Sequence, residues 1–434
     1  MNAPVRVSTE RLNELLAPLA GENCDFEPQP TWVRQPLHTV YVPADRAEPG
    51  MIDAWRAAAL ASVEPAGDLE SLAVLIGADP ELAPELASRV RTKLTRQPIE
   101  DLRLDFEDGY GYRGDAQEDA AASAAGALAA GLIARPDGPE RVGLRIKPLD
   151  TRGATRGIRT LELFLDAYLA GISGSAADAA TPGRTGLPRA LGALRITLAK
   201  VMNGAQVTAF DGICAALEAG HALPQGSLGV ELQIEVPHVV APRRPDDALV
   251  ALAALPRVRA LHFGTYDYTS AQGVLPGEQR STHPVALHAK REMQAAAAVH
   301  GTEVCDGSSN VLPLGEHAAR VDAWTRHAGQ VRSALCEGYP QGWDLHPSQL
   351  PTRYLASYEV LRAEFPSALR RVRAAQSPGS GGAILDEPAT LRMLGGLLAR
   401  ALRTGAVEPG ELGSGLDLAV LERLAVTGVA PAAA

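Results

Sequence analysis

Short apolar runs recur along the middle of the chain, each ending in polar or charged residues. They read HTVYVP from His38, LRLDFEDG from Leu102, VGLRIKP from Val142 and LRITLAKV from Leu194. LQIEVP from Leu232, ALHFG from Ala260, TEVCDG from Thr302 and GWDLHP from Gly342 complete the series. Alanine- and leucine-rich stretches of helical period lie between them, among them Ala116 to Ala134, Thr160 to Ala170, Val207 to Ala219 and Pro284 to Val299. Strand–helix alternation of this kind predicts a parallel sheet. Eight such units over residues 38–350 predict a TIM (β/α)8 barrel rather than an open sheet.

Additions flank and interrupt this pattern. Residues 1–37 form an N-terminal extension with a helix over Thr9 to Ala20. Residues 351–434 form a C-terminal helical segment that serves as a lid, with helices over Tyr354 to Gln376 and Ala389 to Thr404 around a hinge, SPGSGG. Extra material, ESLAVLIGADPELAPELASRV, separates the first two strands, and Gly171 to Pro188 reads as a mobile exposed loop.

The polar strand ends suggest chemistry. Strand side chains alternate between faces, so Gln233 and Glu235 share a face, as do Asp105 and Glu107, and Arg145 and Lys147. Asp108, Lys200, Asp267, Asp306 and Asp344 or His346 follow at the ends of their strands. Glu235 and Asp267 are separated by about one βαβ unit, which brings them side by side at the carboxyl ends of adjacent strands. Ligands bind at that end in parallel α/β folds. Two carboxylates without a Cys or His cluster suit a hard divalent cation, Mg2+ or Mn2+. Each residue also has a plainer reading, because barrel interiors hold ion pairs that only satisfy one another. His346, before a proline, reads as structural, Cys305 as an apolar filler, and Arg243 with Arg244 as a solvated face.

Composition narrows the partners. A net charge of -10 argues against nucleic acid, which requires clustered Lys and Arg. The four cysteines form no CxxC pair, so neither a zinc site nor a disulfide framework is indicated. The charged start of the chain lacks an apolar signal core, and Ala120 to Ala134 reads as a buried helix rather than a membrane span. The expectation is a soluble cytoplasmic protein acting on a small molecule.

The motifs YVPAD, DFEDG, LRIKP, LAKV, QIEVP, FGTYD and HPSQL occur in that order from about Val40 to Leu350. In this succession the chain resembles the citrate lyase β-subunit / HpcH–HpaI aldolase superfamily, which includes the malyl-CoA lyases and is related to the malate synthases. The resemblance implies a TIM barrel whose Mg2+ is held by Glu235 and Asp267. It implies that Arg145 grips a substrate carboxylate, that Gly264 and Thr265 line the substrate, and that Glu107, Asp108 and Lys200 support the metal from a second shell. The chain departs from the pattern at Lys147, where the family usually has Asn, and at Ala199, Val236 and Tyr266.

The implied activity is a metal-dependent carbon–carbon lyase or aldolase acting on a 2-oxo acid such as glyoxylate, pyruvate or oxaloacetate, with or without a CoA thioester as second reactant. Two alternatives stay open. One is a Schiff-base aldolase using Lys147 or Lys200, activated by a depressed pKa. The other is a non-catalytic binding barrel, against which the presence of Arg145, Glu235 and Asp267 counts. Asp386 has two readings: it starts a helix with Pro388 in its first turn, or it acts as acid/base from a closing segment. The likeness to malyl-CoA lyases favours the second, with Asp386 reaching a neighbouring subunit of a homo-oligomer.

Overall fold

The computed structural model describes residues 9–17, 31–175, 186–376 and 387–430. The predicted strands are present as β1 (His38–Pro43), β2 (Asp101–Asp105), β3 (Arg141–Ile146), β4 (Leu194–Leu198), β5 (Gly229–Ile234), β6 (Val258–Phe263), β7 (Glu303–Cys305) and β8 (Gly342–Asp344). All neighbours pair in parallel and in sequence order, and β1 also pairs with β8. A parallel bridge from Cys305 to Gln341 joins β7 to the start of β8 and closes the barrel.

The helices are α1 (Thr9–Leu16), α2 (Met51–Ala61), α3 (Leu69–Leu75), α4 (Ala83–Arg96), α5 (Asp115–Ala134), α6 (Ala154–Ser175), α7 (Leu187–Ala193) and α8 (Gly204–Gly220). Then come α9 (Leu249–Ala253), α10 (Thr265–Ser270), α11 (Pro284–His300), α12 (His317–Cys336), α13 (Leu350–Ala375), α14 (Pro388–Thr404), α15 (Pro409–Leu412) and α16 (Leu418–Thr427). The extra material between β1 and β2 is α3 and α4. The alanine-rich stretch is α5, which packs closely along α6, with Gly126 against the backbone of Phe164. The loop over Gly171 to Pro188 lies largely outside the described residues, as does the hinge.

Strand alternation divides the barrel into two environments. Leu102, Leu104, Leu144, Ile196, Leu232 and Phe263 are fully buried in the main apolar core beneath the helices. The intervening residues turn to the barrel axis and are mostly polar. Arg103 lies between Asp101 and Glu231, with its Nε 2.9 Å from Glu231 and Nη2 3.1 Å from Asp101. Removing these charges from water costs several kcal/mol each, so the arrangement requires every charge to have a partner. Thr197 adds a hydrogen bond to Glu231 at 2.9 Å. Tyr41, Cys305 and Trp343 form a separate small apolar cluster.

α13 follows β8 and packs on α4 and α12. None of the described residues of the C-terminal helices lines the cavity at the mouth of this barrel, and the hinge on which the lid expectation rests lies outside the described residues. α14 is anchored at the opposite end, where Arg400 donates to the carbonyls of Trp32 and Gln35 at 2.7 and 2.8 Å, next to the start of β1. Gly396 permits the approach, since a Cβ there would meet the Trp32 ring. Among the described residues, no helix is long and apolar enough to cross a membrane.

Candidate active site

Each strand hands its chain to a loop at the carboxyl end of the barrel, and the loops after β1, β2, β5 and β6 enclose a cavity of about 420 Å³. Asp105, Asp108, Arg145, Gln233, Glu235 and Asp267 are among its walls. A larger cavity of about 800 Å³ lies on the flank between α4 and the turn after α14. It contains none of the sequence-predicted site residues, so the smaller one is the candidate site.

Glu235 follows β5 and is 2% exposed. It accepts from the backbone N–H of Lys200 at 2.7 Å and from Gln233 Nε2 at 2.5 Å. Burial pushes its carboxyl up to about 8; Lys200 and Arg145 pull it down, and Glu107 and Asp267 add to the rise. Gly264, at the start of the β6 loop, lets Glu235 sit there, because a Cβ would stand 2.7 Å from Glu235 Oε2 and closer still to its Cβ. Asp267 lies in the first turn of α10 and keeps a half-exposed side chain.

Lys200 ties these acids together. Its Nζ is 2.9 Å from Glu107, 3.1 Å from Asp108 and 3.0 Å from Asp267. Its φ of 51° is unusual for a non-glycine residue and aims both its N–H and its side chain into the site. Burial pulls the ammonium down, but Glu235 and Glu107 hold it well above the ordinary lysine value. Burial raises the Glu107 carboxyl. For Asp108 burial works the same way, but Glu107 and Lys200 outweigh it and hold that carboxyl low.

Arg145 is clamped. Asp105 accepts from its Nε and Nη2, both at 2.7 Å, and also receives the backbone N–H groups of Glu107 and Gly109 at 2.9 Å. The remaining Nη1 lies 3.3 Å from Gln233 and 3.4 Å from Glu107. The guanidinium also lies over the Tyr41 ring at 5.1 Å. Asp105 and Gln233 had been placed on the correct faces by alternation but given no role; that each is the partner of a particular charge is decided across strands. Thr265 also lines the cavity; its Oγ1 is buried against Gly307 and has no hydrogen-bond partner among the described residues. Arg46, after β1, is a further cavity residue with no role in the sequence pattern; its side chain is exposed and makes no ion pair among the described residues.

Other expected strand-end residues lie elsewhere. Lys147 does not share the mouth with Arg145: β3 ends at Ile146, and the Lys147 side chain turns into the helix layer, 2.7 Å from Glu118 on α5 and 2.9 Å from the Phe106 carbonyl. Asp306 faces α11, where it pairs with Lys290 at 3.1 Å and accepts from Ser281 at 3.0 Å. Asp344 is buried between His38, His327 and Arg353, at 2.7, 3.1 and 3.0 Å. His346 caps the short turn at Pro347–Gln349, the structural role expected for it. Asp386 lies outside the described residues.

Among the described residues no group of three or more Asp, Glu, His or Cys side chains could hold a metal by itself. The donor set still fits Mg2+, which dehydrates reluctantly and is bound through one or two carboxylates, with water and substrate oxygens completing its shell. A buried carboxyl raised by desolvation and adjacent to another acid is a group that a cation would ionise.

This barrel, with its acidic carboxyl-terminal mouth, has the fold of solved citrate lyase-like proteins. A citrate lyase from Burkholderia xenovorans LB400 aligns over 90% of this chain and 97% of its own, at 22% identity and a TM-score of 0.57. CitE from Mycobacterium tuberculosis, solved with magnesium, acetoacetate and coenzyme A, aligns over 84% and 97%, at 18% identity and a TM-score of 0.48. A Haloferax volcanii malate synthase, as its lead(II) complex, aligns over 66% and 67%, at 16% identity and a TM-score of 0.42. No curated protein sequence matches the chain significantly. Residues 26–429 match the family described as a domain of unknown function, DUF6986, and the chain belongs to that family.

Proposed function

We propose that the protein is a Mg2+-assisted carbon–carbon lyase or aldolase that makes or breaks a bond beside the keto group of a 2-oxo acid. The observation that carries this reading is the meeting of Glu235, Asp267, Lys200 and Arg145 around one cavity at the carboxyl end of the barrel. Glu235 and Asp267 would hold the cation. When bound, such a cation stabilises the negative charge of an enolate, which forms whenever a carbon–carbon bond beside a carbonyl is cleaved or made.

The protein's own groups do the rest. Arg145 presents Nη1 toward the cavity while Asp105 fixes its plane, so it orients a carboxylate through one edge of its fork. Gly264 and Thr265 line the same cavity beside the ligand. Lys200 offsets the mutual repulsion of Glu107, Asp108 and Asp267. Arg46, which lines the same cavity and has no ion-pair partner among the described residues, meets an anionic group on the second reactant, a free carboxylate or the phosphate of a CoA thioester. A Schiff-base route has less support: Lys147 is sealed against Glu118, and Lys200 is held well above the usual lysine pKa, the reverse of what a nucleophilic amine needs.

The test is a screen of glyoxylate, pyruvate and oxaloacetate with and without acetyl-CoA or propionyl-CoA, in Mg2+ and Mn2+. Activity should vanish with EDTA and survive borohydride. Calorimetry should show Mg2+ binding abolished in Glu235→Gln and Asp267→Asn with folding intact. Borohydride trapping, or unchanged Mg2+ affinity in both variants, would reject the reading.

A further inference from the structure

A second polar cavity, of about 260 Å³, opens at the other end of the barrel, far from the proposed chemistry. Its walls come from the starts of β4, β6 and β7 and the turns that lead into β6 and β7. Two arginines face it. Arg195 is the second residue of β4 and Arg259 the second of β6; Gly229 lies between them at the start of β5. A Cβ at Gly229 would stand 3.0 Å from the Arg259 side chain and 3.4 Å from Arg195 Nη1, so the glycine lets both cross the strand.

Neither arginine has an acidic partner within hydrogen-bond distance among the described residues. Arg195 Nη1 donates to the carbonyls of Gly192 and Leu194 at 2.8 and 2.9 Å. Arg259 donates to those of Pro256 and Gly226 at 3.0 and 3.2 Å. Arg195 Nε is buried with no partner. The one acid on the cavity wall, Glu303, is already neutralised by both Nη groups of Arg141, one at 2.8 Å. Burial pushes the Arg195 guanidinium down to about 10; nearby Arg141 adds repulsion, which Glu303 and Glu231 offset only in part. A half-buried cation with a like charge beside it and an unused donor gains when an anion joins it.

We propose that this cavity binds a small oxyanion between Arg195 and Arg259, at a site separate from the barrel mouth. The occupant accepts from N–H groups of the two guanidiniums that line the cavity, a geometry that planar forks offer to carboxylate or phosphate. By linking the starts of β4 and β6, it stabilises the end of the barrel that carries no catalytic group.

The probe is inorganic phosphate, with acetate as a second oxyanion and chloride at equal ionic strength as the control. Thermal unfolding should shift upward, saturably, in phosphate or acetate relative to chloride. Calorimetry should show binding weakened by about tenfold or more in Arg259→Gln, whose exposed side chain can be lost without disturbing the fold. Arg195→Gln should lose binding as well. Glu235→Gln, at the opposite end, should keep it. The proposal is overturned if no oxyanion-specific shift appears, or if Arg259→Gln binds as tightly as the natural protein. It is equally overturned if binding disappears in Arg46→Gln and persists in Arg259→Gln, which would place the anion at the mouth.

Discussion

The clamp of Asp105 on Arg145 makes a sharp prediction for Asp105→Asn. The carboxylate receives four N–H donors: Nε and Nη2 of Arg145, and the backbone of Glu107 and Gly109. An asparagine oxygen can keep one side of this arrangement. Its amide NH2 must then face two donors, from Gly109 and from Arg145 Nη2. The guanidinium is almost wholly buried and keeps only the longer contacts to Glu107 and Gln233, at 3.4 and 3.3 Å. Removing one partner of a buried charge pair costs about 3–5 kcal/mol, and the surviving contacts place Asp105→Asn at the lower end. Urea midpoints at constant m-value would measure it. Arg145→Gln alone should also be costly, because Asp105 would lose both guanidinium donors. The double variant should be far less destabilised than the sum, with a coupling energy of about 2 kcal/mol or more. Function should follow: kcat/KM for the oxo acid should fall by about 10²-fold, as for a misplaced orienting group, with Mg2+ affinity preserved. Coupling below about 0.5 kcal/mol, the level of independent sites, would refute the clamp.

Other expectations are simpler to state. Gly264→Ala forces a methyl group onto the buried stem of Glu235, so it should cost about 1–3 kcal/mol through overpacking and weaken Mg2+ binding, read by thermal unfolding and calorimetry; a native-like variant would show that Glu235 has room to move. Burial lowers the pKa of His262 below 6.5, and its Nδ1 accepts from Trp343 Nε1 at 3.2 Å. The unfolded chain therefore takes up the proton first as pH falls, so stability should rise with pH from the depressed folded value up to about 6.5 and decline below it. In His262→Gln, unfolding measured between pH 5 and 7 should show a shallower slope, and an identical slope would exclude His262 as a contributor.

The sequence by itself determined the barrel and much of its mouth. Period-two alternation in LRLDFEDG and LQIEVP fixes which residues face the helices and which the axis, because a strand has only two faces. The spacing from Glu235 to Asp267 is set by one βαβ unit, so their adjacency follows from chain order alone. Tertiary structure decided what local pattern cannot express: which charge meets which. Asp105, Arg103 and Glu231 look alike as inward charges on a strand, yet the first clamps Arg145 at the mouth while the other two neutralise each other deeper in the barrel. Lys147 was misplaced because its strand ends one residue earlier, which frees its side chain to turn outward to Glu118. Asp306 and Asp344 were misplaced for a related reason: their partners, Lys290, His327 and Arg353, sit on helices that follow or precede them in the chain and close over them only in the folded barrel. Pairing of buried charges depends on distances of about 3–4 Å across elements far apart in sequence, and only the packed fold sets those distances.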